Sequence, residues 1–348
     1  MIQDSARRQV IYWLASGCFL IFLMVLIGGI TRLTGSGLSM VNWSLIMGSV
    51  PPTNQTAWLE VFESYKQFPE FQTRPPDFDL SDFKQIFYWE YIHRMLGRLI
   101  GLVFIVPFIY FLLKKKISGT FVWKLLILFA LGALQGFFGW YMVKSGLVND
   151  PHVSHFRLAL HLVTALVTFT YTWWLILECI YTVRVEEPFR KERKITAVLL
   201  VLIFIQIIYG AFVAGLKSGL FYNTFPKMGE QWIAEGVFAL TPMYLNFIEG
   251  VAGVQFVHRY LGIFITLYAM YMFYQSKKNR LSDLMNQAVI YIFSVVIIQV
   301  ILGIFTLVFG VPLILAVLHQ VGAFMLLMVL VYTIRVSKYT VGASLKKD

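Results

Sequence analysis

The sequence predicts an all-α polytopic membrane protein: eight transmembrane helices built as two pseudo-symmetric four-helix bundles, with both termini on the cytoplasmic side. An apolar composition, eight separate apolar runs and an internal repeat lead to that reading. Of the 348 residues 58% are hydrophobic and 14% charged, and the mean hydropathy is +0.71, far from the values of soluble domains. A helix needs about 20 mainly apolar residues to cross the hydrocarbon core. Runs of that kind fall near residues 10–30, 91–113, 121–143, 157–182, 195–216, 250–274, 287–309 and 312–334.

The net charge of +11 raises nucleic acid as a partner, but its distribution argues against one. Basic residues cluster on alternate connections: Arg7 with Arg8, Lys114 with Lys115 and Lys116, Arg190 with Lys191, Lys277 with Lys278, and Lys338 with Lys346 and Lys347. The positive-inside rule assigns those connections and both termini to the cytoplasm. Lipid, not nucleic acid, is the expected surrounding. The opposite side then receives two long segments, roughly 31–90 and 217–249, and two short ones. The first run opens about nine residues in, with no cleavage site or transit signature, so a bacterial inner membrane is expected. The two cysteines, Cys18 and Cys179, both fall inside runs; no disulfide and no cysteine metal site is expected. The sequon at Asn54 is read as chance.

The repeat emerges when residue 31 onward is laid against residue 213 onward. Ser36-Gly37-Leu38 faces Ser218-Gly219-Leu220, and Asn42 with Met47-Gly48 faces Asn223 with Met228-Gly229. His93-Arg94-x-Leu96-Gly97 faces His258-Arg259-x-Leu261-Gly262, Gln135-x-x-x-Gly139 faces Gln299-x-x-x-Gly303, and Leu160-His161 faces Leu318-His319. The order holds through four successive helices. Two domains are therefore expected, 1–183 and 184–348. Each has an even number of spans, so the halves are parallel repeats about an axis along the membrane normal.

Four of the six histidines lie at matched positions: His93 and His258 at the start of the second helix of each half, His161 and His319 a turn or two into the fourth. An ionisable side chain inside a span is costly and by default functional. Zinc wants four ligands, or three plus water, and no cysteine or carboxylate cluster completes a set. Heme iron takes axial imidazoles from both faces of a planar macrocycle, and walls in which 17% of the chain is aromatic suit that plane. Two bis-histidine heme sites, one per half, are the better fit. Arg94 and Arg259 directly follow a histidine; each can pair with a heme propionate or snorkel to the interface. His152 and His155 are read as solvated loop residues. The spacings Gly97-x-x-x-Gly101 and Gly132-x-x-x-Gly136 suit close helix contact, and Gln135 and Gln299 are expected to hydrogen-bond between helices.

The halves differ at one telling position. Glu90 stands three before His93, and Gln255 three before His258. Residues three apart share a helix face, so Glu90 is expected to look at the ligand of His93. One heme would then be changed chemically while the other carries electrons, the carboxylate accepting a proton or steadying positive charge. The plain alternative is an interfacial acid paired with Arg94 or Arg98.

The segment Gly28-Gly29-Ile30-Thr31-Arg32-Leu33-Thr34-Gly35-Ser36-Gly37-Leu38-Ser39, the motif Glu90-Tyr91-Ile92-His93-Arg94, the stretch Tyr222-Asn223-Thr224-Phe225-Pro226-x-Met228-Gly229 and Val257-His258-Arg259 resemble the heme A synthase family along nearly the whole chain. The resemblance implies a two-half, eight-helix oxidoreductase that converts the ring D methyl of heme O to a formyl group, giving heme A for cytochrome oxidase. It implies His93 and His161 as holders of substrate heme O, Glu90 as catalytic acid, and His258 and His319 as ligands of a heme b cofactor. It further implies an electron acceptor, and heme O synthase and cytochrome oxidase assembly factors as partners. The loop cysteine pair of some members is absent. The long first loop, with Trp43, Trp58 and Pro51-Pro52, resembles the cysteine-free branch of proteobacteria and mitochondria and is expected to form a lid. Two competitors remain: a di-heme electron-transfer cytochrome, which leaves Glu90 opposite Gln255 without a reason, and a parallel-repeat transporter.

Overall fold

The computed structural model describes residues 2–40, 50–146, 153–181, 189–279 and 281–338. Among them, eight helices are long and apolar enough to cross a membrane: α1 (Asp4–Leu33), α3 (Leu80–Leu113), α4 (Thr120–Gly146), α5 (His155–Ile180), α6 (Arg190–Gly215), α7 (Val251–Lys278), α8 (Asp283–Val308) and α9 (Leu313–Val336). All eight expected spans form. No strand forms among the described residues, as a chain of this composition requires, because an open sheet edge in hydrocarbon would leave backbone groups unpaired.

The second span starts well before its apolar run. Asp79 caps α3 by accepting from the amides of Ser81 (2.7 Å) and Asp82 (3.0 Å), while the Asp82 carboxylate accepts from the Asp79 amide (3.2 Å). This reciprocal box satisfies orphan donors of the first turn and adds roughly three turns outside the apolar stretch. His93 therefore sits well inside the helix, not at its start. His258 is closer to its helix end, in the second turn of α7.

The long first loop contains a helix that the hydropathy reading did not foresee, α2 (Gln55–Lys66). Asn54, the sequon asparagine, caps it by accepting from the Ala57 amide at 2.8 Å. Trp58, Phe62 and Tyr65 line one face at helical spacing and are buried with Phe83 and Phe87 of α3 and with Met40. The Trp58 and Phe87 rings meet edge to face at 5.0 Å. Each such side chain stabilises the docked loop by about 1.5–3 kcal/mol through area removed from water. Trp43 lies outside the described residues, and the lid expectation stays with the unassigned roles.

Two compact units divide the chain, Met1–Phe169 and Thr170–Asp348. In the first, α1 packs along α3. Pro107 lacks the N–H that the Val103 carbonyl would normally receive four residues on, and the indole Nε1–H of Trp13 on α1 donates to that carbonyl at 2.8 Å. A freed polar group in an apolar helix is thereby satisfied by its neighbour. In the second unit α6, α7, α8 and α9 pack in a closed ring, α6 against α7, α7 against α8, α8 against α9, and α9 back on α6. The last turns of α5 belong to this unit: Trp173 donates to the Met328 carbonyl at 3.0 Å and Arg335 to that of Tyr181 at 2.7 Å.

Of the small-residue spacings, Gly97 alone lies against a neighbour, the Met24 methyl of α1; Gly101, Gly132 and Gly136 face open space among the described residues. The contact expectation is corrected there. Cys18 and Cys179 are free and buried.

Candidate functional site

Each of the four matched histidines lies against a glycine of another helix. A Cβ built on Gly28 of α1 would stand 3.0 Å from Cε1 of His93, one on Gly139 of α4 3.0 Å from that of His161, one on Gly210 of α6 3.3 Å from that of His258, and one on Gly303 of α8 2.9 Å from that of His319. The glycines are seats: a Cβ there would press on the ring, most closely at Gly303 and least at Gly210. Four residues before three of these glycines, one turn along the same face, stands a glutamine. Gln135, Gln206 and Gln299 donate their amide N–H to the main-chain carbonyl of His161 (3.0 Å), His258 (2.9 Å) and His319 (2.7 Å). The interhelical bonds expected of Gln135 and Gln299 are present. The role of Gln206 and of the glycine seats went unread in the sequence, although Gln-x-x-x-Gly recurs on three helices and could have pointed to them.

In the second unit the ring centres of His258 and His319 lie 6.5 Å apart, with planes at 80°. Their Nδ1 atoms face the backbone carbonyls of Gln206 (3.2 Å) and Gln299 (3.1 Å). A carbonyl can only accept, so Nδ1 carries the proton and Nε2 is left as a neutral ligand. A metal about 2 Å from each imidazole nitrogen, with about 1 Å more from nitrogen to ring centre, needs centres about 6 Å apart. The pair therefore fits a single shared metal with two axial nitrogens, as heme iron takes them. No group of three or more His, Cys, Asp or Glu suited to a metal occurs among the described residues, which sets zinc aside there.

In the first unit His161 lies within electrostatic reach of His93. Here the rings are held differently. The Gln135 amide nitrogen approaches Nδ1 of His161 at 3.1 Å, and Nδ1 of His93 has no hydrogen-bond partner among the described residues. His155 is the first residue of α5 and half-buried, which corrects its reading as a solvated loop residue, and its ring lies tilted against Phe156 with ring centres 4.0 Å apart. His152 lies outside the described residues.

Glu90 is buried one turn before His93, 3% exposed. Its carboxylate accepts from the Ser39 hydroxyl (2.7 Å), the Met40 amide (2.8 Å), and Nε (3.1 Å) and Nη2 (2.5 Å) of Arg94. Gln255 makes the corresponding contact with opposite polarity, its amide donating to the Phe221 carbonyl at 2.6 Å. The arginines act alike: Arg94 donates to the Met40 carbonyl (2.8 Å) and Arg259 to that of Tyr222 (3.0 Å), with Thr224 (2.6 Å) and Lys227 (2.5 Å) in addition. Arg94 fastens the segment after α1 to α3, and Arg259 the segment after α6 to α7.

Behind the Glu90 segment lies a second acid. Glu70 pairs with Arg74 at 2.9 Å and accepts from the Tyr65 hydroxyl at 3.1 Å, while Arg74 donates to the Gly35 carbonyl at 2.6 Å. Burial pushes the Glu70 carboxyl up to about 7, against the pull of Arg74. Burial also raises the Tyr65 hydroxyl.

Residues 11–331 match the model of the family COX15-CtaA, described as cytochrome oxidase assembly protein. The chain is 48% identical to the heme A synthase of Flavobacterium johnsoniae over 337 residues, 95% of this chain and 99% of the relative. It is 42% identical to that of Nitrosospira multiformis, covering 92% of this chain and 91% of the relative, and 42% identical to that of Wolbachia pipientis wMel, covering 94% and 93%.

Proposed function

The chain belongs to the COX15-CtaA family of cytochrome oxidase assembly proteins, and on that premise we infer that it is a heme A synthase, a multi-pass membrane oxidoreductase. The substrate is heme O, whose ring D methyl becomes the formyl group of heme A. The observation that carries the reading is the 6.5 Å spacing of His258 and His319 with both Nδ1 atoms turned to carbonyls. Those two residues would hold a resident heme b, which supplies an iron that passes electrons to an acceptor. His93 and His161 would hold heme O in the matching site, so that the N-terminal half, 1–183, carries substrate and the C-terminal half, 184–348, the cofactor.

Turning a methyl into a formyl carbon is a multi-electron oxidation that releases protons. Glu90 is the acid placed for that, because the equivalent position in the other half holds an amide without charge. Its carboxylate, paired with Arg94, can receive a proton or steady positive charge at the substrate edge. Arg94 and Arg259 stand one residue past their ligands; the Nε of Arg259 has no partner among the described residues and is free to meet a propionate. Glycine seats orient each imidazole, and the apolar helices around them exclude water. The basic connections support a cytoplasmic N- and C-terminus in a bacterial inner membrane, with the histidines toward the outer side.

Pigment extraction from purified protein tests this. Heme b together with heme O or heme A is expected. Heme b alone would support an electron-transfer cytochrome, which the neutralisation of Glu90 by Arg94 also suits, and no heme would overturn both.

A further inference from the structure

Met24 of α1 occupies the position that glutamine holds on α4, α6 and α8, four residues before the seating glycine. Its methyl packs on Gly97, one turn after His93, as the Gln206 amide packs on Gly262, one turn after His258. A thioether cannot donate to the His93 carbonyl, so the cross-helix bond made at the three other seats is missing, and Nδ1 of His93 has no partner among the described residues. His161 keeps the cross-helix bond, but its Nδ1 faces an amide nitrogen rather than a carbonyl. Both rings of the C-terminal pair therefore carry their proton on Nδ1 and leave Nε2 without one, whereas Nδ1 of His161 accepts from an amide N–H and Nδ1 of His93 is held by no described residue.

We propose that the residue one turn before each seating glycine sets how tightly that half keeps its heme: Gln206 and Gln299 make the C-terminal heme resident, and Met24 leaves His93 a loosely held ligand that lets substrate arrive and product depart. The inference rests on the functional reading above and deepens it. The physical basis is the outer-sphere bond of a ligating histidine. Donation from the far ring nitrogen orients the imidazole and raises its basicity, and loss of such a partner typically lowers metal affinity about 10- to 100-fold. Gln206 is a positioning residue: by holding the His258 carbonyl it keeps α6 and α7 at the separation at which Nδ1–H reaches the Gln206 carbonyl. An enzyme whose substrate and cofactor are both hemes needs this asymmetry, since two equally tight sites would trap the product.

The test uses the full chain in detergent, with Gln206→Met and Met24→Gln. Transfer of heme to excess apomyoglobin gives the rate at which each heme leaves, and visible and EPR spectra report the axial ligation. Gln206→Met should release heme b roughly 10- to 100-fold faster and raise its midpoint potential, because a less basic imidazole favours the ferric state less. Met24→Gln should slow the release of heme O and heme A by about tenfold or more, sharpen the low-spin signal of that site, and leave heme b release unchanged. Unchanged release in a folded Gln206→Met protein, or unslowed release of heme O and heme A in Met24→Gln, would overturn the proposal. If Gln206→Met does not assemble, Met24→Gln decides alone. A parent protein that retains no heme b would overturn the functional reading as well, whereas a heme b-loaded parent with indifferent variants would overturn only this inference.

Discussion

The N-terminal and C-terminal histidine pairs share one kind of seat and differ in how they are held. In the second unit each ring donates Nδ1–H to a backbone carbonyl and each histidine carbonyl is clasped by a glutamine. In the first unit one clasp is missing, Nδ1 of His161 faces the Gln135 amide nitrogen, and Nδ1 of His93 has no partner among the described residues. In exchange, a buried carboxylate paired with Arg94 stands one turn before His93, where the second unit has an amide. On the functional reading proposed above, the same scaffold would yield one site suited to keeping a group and one suited to acting on it. The change needs few residues: Glu90 for Gln255 and Met24 for Gln206.

The largest effect should come from the C-terminal ligands. Replacing His258 or His319 with alanine leaves a single imidazole in an apolar cavity and should remove essentially all bis-histidine low-spin heme b from the purified protein. A variant with full low-spin heme b would dissolve the contrast between the pairs.

Next comes Glu90→Gln. The amide is isosteric and Gln255 shows that the position accepts one, so both hemes should stay bound. Turnover should fall about a hundred- to ten-thousandfold, the usual contribution of positioned proton transfer, with heme O or a partly oxidised heme accumulating. Chromatography of extracted heme reads this directly. Normal heme A production would reduce Glu90 to a fastener of the Ser39–Met40 segment.

Smaller effects follow from the seats. Gly303→Ala places a methyl 2.9 Å from the His319 ring and Gly28→Ala one 3.0 Å from the His93 ring, so each should turn its imidazole and shift the spectrum of its own site only. Gly136→Ala, with nothing within 4 Å among the described residues, should leave both spectra unchanged. Equal responses at Gly28 and Gly136 would mean that the seat has no bearing on ligation.

The smallest effect concerns the docked loop. Burial raises the Glu70 carboxyl from 4.5 to about 7, so the folded loop binds this proton more tightly than the unfolded chain does. The associated stability is fully present below about 4.5 and is lost as the pH rises through about 7. Amide exchange in α2, corrected for the intrinsic rate, should therefore quicken roughly a few-fold between pH 6 and pH 8, and Glu70→Gln should abolish that dependence. A flat profile in the parent protein would show that the Arg74 pair offsets the desolvation of Glu70.

Eight spans, the matched histidines and the Glu90–Gln255 difference were legible in the sequence because they rest on local rules: apolar run length, the sequence repeat and the three-residue helical face. The helix α2 was equally local, with Asn54 as cap and Trp58, Phe62 and Tyr65 on one face, but its polar half hid it from a hydropathy reading. What tertiary structure alone decided is which groups meet across helices. Arg94 turns to Glu90 and the Met40 carbonyl, and Trp13 finds the carbonyl that Pro107 frees. Gly28, Gly139, Gly210 and Gly303 stand under imidazoles, while Gly132 and Gly136, no different in sequence, meet nothing described. A glycine or glutamine reads the same in the chain whether it faces lipid or a ring; only helix rotation and spacing, set by packing across the whole bundle, assign it a partner.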